Sequence, residues 1–192
     1  MLLTAFAPLT SMGAEIDQFT LTREIRDSRF TIDRFVNRYI ERSVESENLK
    51  EKGCNEKALY RQINKYLNNH AFGEIVNRIE ARGDIDKIKI KAADSIFAGW
   101  RLTDGQILAQ KNVDTNSLGI SSLIRINGNV IGLDKLEHMF GQGNSYFKMW
   151  RFDGKSIEQV LAHSQLEEKV LWGGNILETG IYSYADLVAN FN

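Results

Sequence analysis

Cysteine, proline and charge imbalance are all scarce in this 192-residue chain, and each scarcity removes a class of protein. Cys54 is the one cysteine, so no internal disulfide can form and no thiolate cage can hold zinc. Stability must come from packing. Pro8 is the one proline, which leaves the rest of the chain without proline-rich linkers or polyproline ligands. Lys plus Arg number 24 against 25 for Asp plus Glu, a net charge of −1 that gives no overall pull toward nucleic acid or anionic lipid. Nucleic acid is therefore not an expected partner. No segment beyond the first fourteen residues approaches the roughly 18 apolar residues of a membrane-crossing helix, so no transmembrane span is expected.

With 43% hydrophobic and 26% charged residues, the chain suits one globular domain, residues 15–192, with an ordinary core. Ahead of it, Met1 to Ala14, "MLLTAFAPLTSMGA", has no charge and ends in small residues just before Glu15 and Asp17. It reads as what remains of a signal peptide, with Ala14 the last residue removed, although the usual basic start is missing. That implies a periplasmic or secreted protein. The competing reading is a buried N-terminal strand or helix.

The expected fold is mainly α: a helical, bundle-like single domain with a small β-hairpin near residues 121–132. Ile32, Phe35, Val36, Tyr39, Ile40 and Val44 recur at three and four, the stripe of an amphipathic helix, and Arg34, Arg38 and Arg42 form a solvated face on it. Leu59, Ile63, Tyr66 and Leu67 mark a second helix and Ile75, Val76 and Ile79 a third, while "DKIKIK" at Asp86 to Lys91 alternates like a strand. Ala92 to Leu118 has no clear period, with Phe97 and Trp100 as its anchors to the core. Asn127-Gly128 between two β-branched runs signals a hairpin with both turn residues at positive φ. A helix is expected from Asp134 to about Trp150. Capping boxes at Ser156/Gln159 and Ser183/Asp186 open two more.

Four polar residues stand out. Asp134 and His138 are four apart near the start of a helix, on a line away from its apolar side, and the glycines Gly141 and Gly143 follow. A glycine inside a helix costs roughly 1 kcal/mol relative to alanine, so each is expected to admit a close neighbour, Gly143 on the core side and Gly141 on the Asp/His side. A break of the helix is the other reading. Glu168 falls within the apolar stripe of the helix that starts at Ile157, about 20° from it at about 100° per residue. A carboxylate there must be paired, hydrogen-bonded or protonated, and His138 is the first partner to test. Asp186 has a structural explanation, bonding the Ser183 backbone, but is a candidate fourth member. Asp134, His138, Glu168 and Asp186 together form an oxygen-and-imidazole set suited to a divalent metal. Without metal, His138 and Glu168 are the candidate catalytic acid–base pair, or all four form a structural network. HExxH is absent, and "DGKSIEQ" is no P-loop, because Met149 stands where that motif needs glycine.

"IGLDKLEHMFGQGNSYF" and "ETGIYSYADLVANFN" resemble a group of uncharacterised exported proteobacterial proteins with DKxxHxFxQG and SYxDLxANF motifs, a likeness that extends upstream through "CNEKALYRQINKYLNNH". Met139 is a mild departure from that pattern. The DKxxH portion also has a faint likeness to VanZ-type membrane proteins, without their spanning segments. The resemblance implies export, a site at Asp134, His138, Glu168 and Asp186, and a chain truncated at its C-terminus, since the group continues past ANF. It supplies no chemistry. Two functions are carried forward: an exported cell-envelope protein whose polar cluster binds a partner or ligand or organises the fold, and a metal-dependent or acid–base hydrolase acting on envelope material.

Overall fold

The computed structural model describes residues 15–46, 55–67, 74–109 and 120–192. The expected leader, Cys54 and the end of the Ala92–Leu118 stretch lie outside the described residues. Within them the fold is mainly α with one small antiparallel sheet.

Helix α1 (Arg29–Val44) turns Ile32 and Phe35 inward and leaves Arg34, Arg38 and Arg42 exposed. Helices α2 (Glu56–Leu67) and α3 (Glu74–Glu80) join it around a core that includes Leu67, Ile75, Ile79, Ile124 and Leu133. Strand β1 (Lys87–Ile88) uses only two residues of the alternating stretch and pairs with β2 (Leu123–Ile126), which pairs with β3 (Asn129–Gly132). Asn127 and Gly128 turn the hairpin at φ 50° and 81°, the positive angles that a two-residue turn needs to match strand twist. Between β1 and β2 lie a 3₁₀ turn (Ala92–Asp94) and the short α4 (Gln106–Ala109). Phe97 is buried there with Leu108 and Ile120, and Trp100 packs against them.

The C-terminal part carries α5 (Asp134–Phe140), α6 (Gln142–Arg151), α7 (Ile157–Val170) and α8 (Tyr184–Asn190). The single helix expected from Asp134 to Trp150 is two, as the other reading of the glycines has it, because Gly141 leaves helical geometry at φ −91°, ψ −84°. Reading both glycines off one continuous wheel therefore fails. A Cβ on Gly143 would lie 2.8 Å from the carbonyl oxygen of Asn190, so this glycine admits the backbone of α8.

Both expected caps form, one of them only by half. Ser156 Oγ accepts from Gln159 N–H at 3.2 Å while Gln159 Oε1 accepts from Ser156 N–H at 3.0 Å, a complete capping box. At α8, Ser183 Oγ accepts from Asp186 N–H at 3.3 Å. The return bond expected from Asp186 to the Ser183 backbone is absent, because Ser183 N–H donates to Glu168 Oε1 at 3.0 Å. The Asp186 carboxylate is thereby released into the interior. On α8, Leu187 is buried, whereas Tyr184 and Val188 are exposed.

Candidate functional site

The hairpin sets the first turn of α5. Leu133 N–H donates to the Ser122 carbonyl at 2.9 Å and Asp134 N–H donates to Ser121 Oγ at 3.0 Å, so β3 hands the chain straight into the helix. The side chains that follow point into the protein: Asp134 is 2% exposed and His138 4%. A face that looks polar and solvated on the helical wheel is covered by α8.

Lys135 Nζ donates to Asp134 Oδ2 at 2.6 Å and, in a very short contact, to Asp186 Oδ1. His138 Nε2 lies 3.3 Å from Asp186 Oδ2, and His138 Nδ1 lies 3.2 Å from Asn190 Oδ1. Two residues one turn apart on α8 thus engage two residues three apart on α5. The Lys135 ammonium sits between two carboxylates in a space closed to solvent. Burial works against its charge, but Asp134 and Asp186 outweigh burial and hold its pKa above the usual lysine range. For Asp134 burial dominates, and its pKa is raised despite Lys135.

Two further acids complete the interior. Glu168 is 1% exposed; one oxygen accepts from Ser183 N–H and the other, Oε2, has no hydrogen-bond partner. Glu15 is also buried, with its carbonyl accepting from Ser121 N–H at 2.7 Å and its Oε1 lying 3.3 Å from Thr179 Oγ1. A Cβ on Gly173 would stand 2.9 Å from Glu168 Oε1 and 3.3 Å from Glu15 Oε1, so the two carboxyl groups share the space that this glycine leaves. Four acids then face one ammonium. Desolvation pushes the Glu15 carboxyl up to about 8 and that of Glu168 to about 7; the Ser183 bond restrains the second.

All four residues singled out from the sequence are buried. His138 and Asp186 meet directly, and Asp134 joins them through Lys135. Glu168 is not bonded to His138: its carboxylate is taken by Ser183, while both nitrogens of His138 face α8. Asp134, His138 and Asp186 each offer one ligand atom, all within 4.8 Å of one another, a grouping that does not include Glu168.

Sequence reasoning missed Lys135, Glu15 and Asn190 as members. Lys135 stands inside the DKxxH motif, but helical angles place it about 100° from Asp134, and only its long stem brings the ammonium back. Glu15 lies in extended chain, where no periodicity announces burial. Asn190 had a readable signal: it stands four residues after Asp186, one helical turn on the same face.

Comparison with family models, curated proteins and solved structures returns no significant match.

Proposed function

We propose that this is an exported protein of the cell envelope, periplasmic or secreted, that acts by binding a partner or ligand, and that its buried charge cluster organises the fold without carrying out a reaction. Support for export comes from the uncharged "MLLTAFAPLTSMGA" followed by Glu15 and Asp17. The observation that carries the non-catalytic half is the position of Lys135 Nζ between Asp134 and Asp186. Lys135 already brings to Asp134 and Asp186 the positive charge that a metal ion would supply, and a hydrolytic pair would need access for substrate and water that these buried side chains do not have.

The specific observation in favour of the second reading, a hydrolase acting on envelope material, is the close spacing of Asp134, His138 and Asp186. There His138 and the two aspartates would hold a metal ion, or, without metal, His138 and Glu168 would serve as the acid–base pair. Metal analysis of protein purified without chelator separates the two. No stoichiometric ion is expected in the natural protein, and Lys135→Met is expected to cost about 3–5 kcal/mol in denaturant unfolding, because it leaves two buried carboxylates uncompensated. One equivalent of metal that disappears in His138→Ala would sink the binding reading and put the hydrolase in its place.

A further inference from the structure

A groove of about 550 Å³ opens between α2, the end of α5, α6, the start of α7 and the end of α8. Its walls include Tyr60, Phe147, Trp150 and Phe191, and no charged side chain lines it among the described residues. Tyr60 and Phe147 have ring centroids 4.4 Å apart, and Trp150 sets its ring edgewise 6.0 Å from Phe147. Outside the lining, Arg151 donates twice to the Glu56 carboxylate, at 3.0 and 2.9 Å, tying α6 to α2.

Of the polar side chains in the lining, those of Tyr60, Asn64, Asn144, Tyr146, Asn190 and Asn192, two are paired with each other. Asn144 Nδ2 donates to Asn64 Oδ1 at 2.6 Å. That bond orients both amides and leaves the Asn144 oxygen as an acceptor and the Asn64 nitrogen as a donor for something in the groove. We propose that this groove is a ligand site for a neutral, largely apolar small molecule bearing one amide- or hydroxyl-type polar group, the asparagine pair recognising that group and the aromatic walls its body. The volume falls in the range of roughly 300–1,000 Å³ typical of small-molecule pockets, and apolar walls with a few placed polar groups are the usual composition. A charged ligand is disfavoured, since its charge would be buried against walls with no counter-charge. The proposal rests on the binding reading above and names its ligand class.

The charge cluster bears on this site through α8. Asn190 meets His138 with its side chain and rests its carbonyl on Gly143, and the next residue, Phe191, forms the groove wall, stacked 5.8 Å from Tyr146. The cluster therefore positions one wall of the groove.

Two near-isosteric fluorescent probes test the assignment: the neutral phenylnaphthylamine and its anionic relative, anilinonaphthalene sulfonate. The neutral probe is expected to saturate at one equivalent and the sulfonate to bind about tenfold or more weakly. Trp150 is half-exposed, so Trp150→Ala should fold, and it is expected to weaken the neutral probe about tenfold, while Leu166→Ala, on the exposed side of α7, leaves it unchanged. Absence of saturable binding, equal affinity for the sulfonate, or indifference to Trp150→Ala would overturn the proposal. So would a dimer in sedimentation that Trp150→Ala makes monomeric, because a second copy would then fill the groove. Failure of the probe in a metal-free protein removes this site and leaves the role of the cluster standing; a resident metal with probe binding intact does the reverse.

Discussion

Glu15 and Glu168 bring their carboxyl groups into an interior where Asp134, Asp186 and Lys135 already face one another; burial is the first cause that raises both, the aspartates add to it and Lys135 opposes it. A folded-state pKa above the unfolded value means that the folded protein holds the proton more tightly. The stability due to these two groups is therefore fully present below the ordinary glutamate value and is lost as pH rises through about 7 for Glu168 and about 8 for Glu15. Each group has a slope of at most roughly 1.4 kcal/mol per pH unit in that window. Glu15→Gln keeps the shape and removes the titration, so it is expected to melt higher than the natural protein at about pH 9 and alike at about pH 4. Equal melting temperatures at the alkaline end would show that Glu15 is not held protonated by the fold.

At the scale of elements, the contact between α5 and α8 is polar, made by residues whose charges are matched only when the two helices are correctly placed. A one-turn slip of α8 would strand Asp186 and Lys135 apart in a dry interior, which is why such a network specifies position more than it adds stability. Gly143 permits the approach. Gly143→Ala is expected to destabilise by about 1–3 kcal/mol in chemical denaturation, through displacement of the Asn190 carbonyl. Gly83, where an added Cβ would meet nothing within 4 Å, is the control, and Gly83→Ala should be neutral or slightly stabilising. A neutral Gly143→Ala would mean that α8 does not bear on α6.

For the whole molecule, the near balance of 24 basic and 25 acidic residues predicts no binding to duplex DNA at physiological salt, checked by fluorescence anisotropy. Saturable binding that weakens steeply with salt would reveal a basic patch that the overall balance conceals. No helix among the described residues is long and apolar enough to cross a membrane.

The amino-acid sequence by itself determined the mainly α class, the hairpin at Asn127-Gly128, the cap at Ser156 and the burial of Glu168, because each depends on near neighbours: a period of 3.6, a turn pair, a side chain three residues from the backbone it bonds. Tertiary structure alone decided what surrounds the buried acids. It gave Ser183 N–H to Glu168 so that Asp186 was released toward Lys135 and His138, and brought Glu15 in from extended chain. Partners of this kind are separated by tens of residues, and electrostatic pairing acts through distance in space, which local pattern does not encode.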